Sequence, residues 1–229
     1  MTSQINLLQL LLVKDLRCLF RAKQIPVAVL GFSLLLSVVA SFSMRQVGFG
    51  SSELIAITPG ILWMEYLFCA VLALNFSFAV EEEALAIHGL LCSQVDAGYV
   101  FLSKWLSNLL FLFLVQIVVL VAHAVFFQVE LFPVFPELLL VSGLFSIGFV
   151  AIGTLFSGIA ACSRAREILL PLMLFPLCLP EILAAVGLAR EVLATGALAT
   201  GNFWFLLLCG FDCIAVVLSW ALFEHVVRG

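Results

Sequence analysis

The sequence predicts an all-α integral membrane protein with six transmembrane helices, and three observations carry that prediction. The chain is 65% hydrophobic and only 10% charged, whereas a soluble domain carries about a quarter charged residues. Six stretches, at about 25–44, 61–80, 105–127, 138–161, 168–188 and 203–223, reach the roughly 20 predominantly apolar residues that a spanning helix needs. None alternates with period two, so barrel strands are excluded. Only helices then satisfy the backbone in lipid. All of 1–229 reads as one transmembrane domain, without repeats.

Ahead of the first span lies a polar helix over 2–23. Ile5, Leu8, Leu12, Leu16 and Leu19 recur every three or four residues, while Gln9, Lys14, Arg17 and Arg21 take other faces. Thr2 or Ser3 can cap its start. Such a helix lies in the membrane interface with its cations toward headgroups, or packs on protein. The pattern alone fits both.

The second span carries Glu65, the third His123, the fifth Glu181 and the sixth Asp212. An acid at the bilayer centre costs about 2.5–3.5 kcal/mol, so each should find a partner or a wet cavity. Two readings stand for Glu65 and Asp212, a polar path or a plain hydrogen bond to a neighbouring helix. Glu181 is expected near the outer end of a broken helix, within reach of water. His123 is expected to act as an interhelical donor.

The fourth span is rich in small residues, namely Ser142, Ser146, Gly153, Ser157 and Gly158, which let helices approach closely within the chain or between subunits. In the fifth, Pro171, Pro176 and Pro180 each remove a backbone hydrogen bond and clash one turn back. That predicts a kinked or discontinuous helix.

Between the second and third spans sits the charged island AVEEEALAIHGLLCSQVDAGYVFLSKW at 79–105. Glu81, Glu82 and Glu83 favour a helix start. Ala84, Ile87, Leu90 and Leu91 offer an apolar face, and Asp96 and Gly98 mark the turn back into the membrane. This combination suits docking of a soluble partner.

Lysine and arginine set the orientation. With six spans both termini share a side, which carries Lys14, Arg17, Arg21, Lys23, Lys104, Arg164, Arg166 and Arg228, against Arg45 and Arg190 opposite. The termini and the island are therefore expected in the cytoplasm.

The seven cysteines are odd in number, and the topology puts none outside the cytoplasm or bilayer, so free thiols are expected. Cys209 and Cys213 lie one turn apart but lack a third ligand, so no metal site is assigned. No glycine-rich phosphate loop precedes any lysine, and no nucleophile has a base beside it. If ATP is used, another chain binds it. No basic patch suggests nucleic acid.

VKDLRCLFRAKQ at 13–24, TPGILW at 58–63, HGLLCSQVDAGYVFLSKWLSNLLF at 88–111, VAIGTLFSGIAACSRAREILLPLMLFPLCLP at 150–180 and ALFEHVV at 221–227 follow in order through all six spans. In these stretches the chain resembles the haem exporter protein B (CcmB) family, the membrane permease subunit of the ABC-type complex in cytochrome c maturation. The resemblance implies a non-catalytic bacterial inner-membrane permease with an N-terminal interfacial elbow helix. It also implies a cytoplasmic coupling helix at about 81–94, where Glu81, Glu82, Glu83, Ile87, Leu90 and Leu91 meet an ATP-binding cassette subunit. The other implied partners are a second haem-handling membrane subunit and a periplasmic haem chaperone. ATP would sit on the partner and haem would be the handled substrate, with no cofactor held by this chain. Glu65 and Glu181 stand where the resemblance implies uncharged residues. An ion-coupled carrier, suggested by Glu65, Asp212 and the proline-rich span, and a membrane scaffold, suggested by the fourth span, are the alternative readings.

Overall fold

A computed structural model describes residues 2–21, 24–46, 51–83, 97–128, 131–161 and 166–228. All of its regular structure among these residues is helical. The helices are α1 (Thr2–Arg21), α2 (Gln24–Gln46), α3 (Ser51–Glu83), α4 (Ala97–Phe127), α5 (Phe135–Ala161), α6 (Arg166–Thr195) and α7 (Phe203–Arg228), with a short 3-10 turn, Phe132–Val134, leading into α5. The six from α2 to α7 are long and apolar enough to cross a membrane.

The bundle is built around α5, which packs on α3, α4, α6 and α7. Its spanning window is 72% buried inside the chain, against 22% for α2 and for α7, which form the edges. The small residues of α5 explain its place. Leu74 of α3 presses on Gly153, and a Cβ at Gly158 would lie 3.2 Å from the Phe223 ring of α7. Ser142, Ser146 and Ser157 are buried within the same chain. Of the two uses predicted for this stripe, the structure shows intrachain packing.

Bulky residues fill what the small ones leave. Trp63 and Tyr66 of α3 meet Phe145 of α5 edge to face, with centroids 6.3 and 5.6 Å apart, and Phe145 stacks on Phe149. This geometry suits aromatic quadrupoles. A smaller cluster of Ala97, Phe101, Ala151, Leu155 and Phe223 joins the first turns of α4 to the last turns of α5 and α7.

Two predicted helices need correction. The third membrane helix begins at Ala97, so Gly98 and Lys104, predicted in the loop, lie inside it. Of the two forms predicted for the fifth membrane helix, kinked or discontinuous, the second is excluded: α6 runs from Arg166 to Thr195 through Pro171, Pro176 and Pro180. The prolines therefore sit within one helix and do not divide it. Such prolines are tolerated where neighbouring helices and local adjustments re-satisfy the freed backbone groups. The helix instead ends at Gly196, whose φ of 74° is left-handed and whose N–H bonds to Val192 O at 2.8 Å. That is the usual glycine stop. Asn202 then bridges the ends: its amide donates to Glu191, and its carbonyl accepts from the Trp204 N–H at the start of α7.

Candidate functional site

Among the described residues, buried acids occur in three groups of polar side chains, and these differ in how completely their charges are answered. The first ties α1 to α4. Asp15 lies four residues from Leu11 and from Leu19, the buried stripe of α1. Its Oδ2 accepts from the Ser103 hydroxyl at 2.5 Å, and its Oδ1 lies 3.4 Å from Lys104 Nζ and 3.1 Å from Lys14 Nζ. Asp15 and Lys104 are both buried. Burial alone would push the Asp15 carboxyl up, but the Lys104 ammonium, the Ser103 hydroxyl and Lys14 together hold it below the usual carboxylate value. Of the two surroundings open to α1, protein contact is present: α1 packs chiefly on α4, while Leu10 and Val13 stay exposed.

The second group spans α2, α3 and α4. Glu65 Oε2 accepts from the Ser37 hydroxyl at 3.0 Å and lies 3.4 Å from His123 Nδ1. The His123 ring stacks on Phe127, centroids 4.0 Å apart. His123 thus meets α3 across the helix interface, and Glu65 has found two partners. Glu65 Oε1 and His123 Nε2 have no hydrogen-bond partner among the described residues. One turn from Ser142 on α5, Ser146 donates to Ser142 O at 2.9 Å. Its oxygen faces Gln116 Nε2 and Tyr66 Oη, each at 2.7 Å. Since the Ser146 proton is committed to Ser142, Tyr66 is the donor in that contact.

The third group is the least compensated. Glu181 of α6 and Asp212 of α7 are 0% and 5% exposed, and none of their four carboxyl oxygens has a hydrogen-bond partner among the described residues. Both point at one glycine of α5. A Cβ on Gly148 would lie 2.5 Å from Asp212 Oδ1, 2.7 Å from Glu181 Oε1 and 3.2 Å from the Asp212 Cα. Only a residue without a side chain lets the two acids in. The prediction that Glu181 reaches water near a helix end is overturned. Because α6 is continuous, residue 181 falls midway along the span Ile168–Thr195, facing α5.

Glu65, His123, Glu181 and Asp212 are thus all buried, in two separate places: Glu65 with His123, and Glu181 with Asp212. The predicted docking residues Ile87, Leu90 and Leu91 lie outside the described residues. Glu81, Glu82 and Glu83 form the end of α3, where the backbone alone is described. Among the described residues the thiols of Cys18, Cys69, Cys178, Cys209 and Cys213 are free, and no three His, Cys, Asp or Glu side chains gather as a metal set.

Sequence reasoning missed Asp15 with Lys104, and the Tyr66, Gln116 and Ser146 network. The signal for Asp15 was present, as a single acid placed at helical spacing among the leucines of an amphipathic helix. Gln116, mid-span in an otherwise apolar run, was a comparable signal.

A comparison with curated proteins finds no match. A sequence model of the CcmB protein family matches residues 6–228, from within α1 to the last turn of α7. With six apolar helices in the same stretch, the chain belongs to the CcmB family, the haem exporter permease component of cytochrome c maturation.

Proposed function

We propose that this chain is the non-catalytic permease subunit of an ABC-type complex, coupling ATP hydrolysis on a separate subunit to haem delivery or to release of a loaded haem chaperone. The observation that carries the reading is the family match, which covers all six spanning helices. The sequence supports it, since no phosphate-cradling loop precedes any lysine.

In this reading the loop after α3 is the coupling segment. Glu81, Glu82, Glu83, Ile87, Leu90 and Leu91 grip the ATP-binding cassette subunit. A second haem-handling membrane subunit and a periplasmic haem chaperone complete the assembly, which sits in the bacterial inner membrane. Both termini are cytoplasmic, a reading the distribution of lysine and arginine supports, and α1 lies at the cytoplasmic interface with Leu10 and Val13 toward lipid.

The test is co-purification of the ATPase subunit together with maturation of c-type cytochromes. Ile87→Asp puts a charge on the apolar docking face. It should abolish capture of the ATPase and stop maturation while the protein still inserts in the membrane. Full maturation in cells lacking every such ATPase would overturn the reading.

A further inference from the structure

The Glu181–Asp212 pair is not explained by a permease role alone. Three spanning helices bring it together, Glu181 from α6, Asp212 from α7 and the Gly148 cradle from α5. The two nearest oxygens lie no more than about 5 Å apart, a separation at which two carboxylates away from water cannot both stay ionised without a counter-charge. The structure offers no such charge. Neither acid makes an ion pair among the described residues, and their oxygens have no hydrogen-bond partner there. The titratable groups around them are Cys178, one turn before Glu181 on α6, Cys209, one turn before Asp212 on α7, and Tyr66 of α3. None of these is a cation. On α4, Lys104 is engaged with Asp15 and His123 with Glu65. From α5 the backbone of Gly148 and Phe149 faces the pair.

The donor set also decides what the pair can hold. A hard metal cation takes about six oxygen ligands. Here there are four carboxyl oxygens and no third acidic, histidine or cysteine ligand in a metal-binding group among the described residues. A proton needs only one carboxyl oxygen, and a neighbouring carboxylate to share it.

We propose that Glu181 and Asp212 form a proton-binding site within the membrane, one carboxyl holding a proton beside the other across Gly148. The two titrate as a unit. Losing the shared proton leaves two like charges between α6 and α7, so occupancy of the site is linked to how these helices pack on α5. The inference does not depend on an ATPase partner, and it concerns a property of the chain in its bilayer.

The experiment uses the full-length protein in lipid nanodiscs. A hydrophobic carbodiimide, which adds to protonated carboxyls from the lipid side, is applied across a pH series. Peptide mass spectrometry locates the adduct, and infrared difference spectra follow the carbonyl stretch of protonated carboxylic acid. The expected result at neutral pH is an adduct on Glu181 or Asp212 and a protonated-carboxyl band, both fading as the pH is raised. Glu181→Gln should replace the coupled titration of the pair by a single titration at Asp212. The double variant E181Q/D212N should lose the band. Absence of adduct and band in the wild-type protein at neutral pH would overturn the site. Loss of labelling on adding sodium or potassium at constant pH would assign it to a metal cation and overturn the proton. Since labelling of the wild-type protein alone decides between these outcomes, a variant that fails to fold leaves the proposal testable.

Discussion

Asp15 and Asp212 are both buried aspartates, 4% and 5% exposed, on helices of the same chain, yet their surroundings are opposite. Asp15 meets a serine hydroxyl and two lysine ammonium groups. Asp212 meets a second acid and a glycine. A carboxylate taken out of water loses its hydration, and only specific donors replace it. At Asp15 they are present, so the group can stay charged and serve as a fastener between α1 and α4. At Asp212 no hydroxyl or cation among the described residues replaces the water, so the site is unstable with both charges and becomes comfortable when it takes up a proton. Burial alone therefore does not say what an acid is for. The partners it has been given decide between a structural and a ligand-binding role.

The largest effect is expected where the compensated site is broken. Lys104→Met leaves Asp15 buried with Ser103 and the half-exposed Lys14, and should destabilise the docking of α1 by about 3 kcal/mol, the lower end of what removing one member of a buried pair costs. Limited proteolysis of α1 and thermal unfolding in nanodiscs measure it. The double variant D15N/K104M removes both charges and should recover most of the loss. If it is no better than K104M, the ion pair is not the fastener. The pH dependence has a definite sign. Because the folded carboxyl of Asp15 is held below its usual value, its contribution is fully present at neutral pH. It is lost only as the pH falls below the ordinary carboxylate range, through that lowered value. The proposed proton site responds at the other side of the scale, by losing its proton as pH rises.

The six spans were legible because apolar length is a direct consequence of the bilayer. The spacing of Ile5 to Leu19 likewise marked α1 as amphipathic before any packing was known. The sites were less legible, for reasons of distance along the chain. Asp15 and Lys104 are separated along the chain by two membrane crossings, and nothing local to either announces the other. Glu65, His123 and Asp212 were visible as polar residues in apolar runs, but which acid faced which depended on helix rotation. Glu181 is misplaced by the sequence for a specific reason. Three prolines in one span suggest a division, which puts residue 181 at an end, whereas the continuous α6 carries it to mid-span and turns it toward α5. Gly148 carries no side-chain signal at all, and its meaning appears only once two acids are seen to converge on it.

Gly148→Ala sharpens the contrast from the other side. Its Cβ would fall within 3 Å of an oxygen of each acid and 3.2 Å from the Asp212 backbone, so α7 as well as the carboxyls must shift. Overpacking of this kind costs about 1–3 kcal/mol. The melting temperature in nanodiscs should fall, and the protonated-carboxyl band at neutral pH should weaken as the acids separate. A variant with wild-type stability and an unchanged band would show that the glycine is not the cradle of the pair.

The smallest effect is expected in the neutral network. Tyr66 donates to Ser146, whose oxygen also accepts from Gln116. Tyr66→Phe removes one donor and leaves the Ser146 oxygen still satisfied, so no buried group is orphaned. Interhelical hydrogen bonds in membranes average about 0.6 kcal/mol, and the loss should be of that order. Ser146→Ala is a harsher change at the same place. It strips the Tyr66 hydroxyl of its acceptor, although Gln116 keeps the Ser142 carbonyl at 2.6 Å. An orphaned buried hydroxyl costs more than a lost bond, so S146A should unfold at lower temperature than Y66F. The opposite order would mean that the proton of that contact belongs to Ser146, and that the Ser142 carbonyl is answered by Gln116 alone.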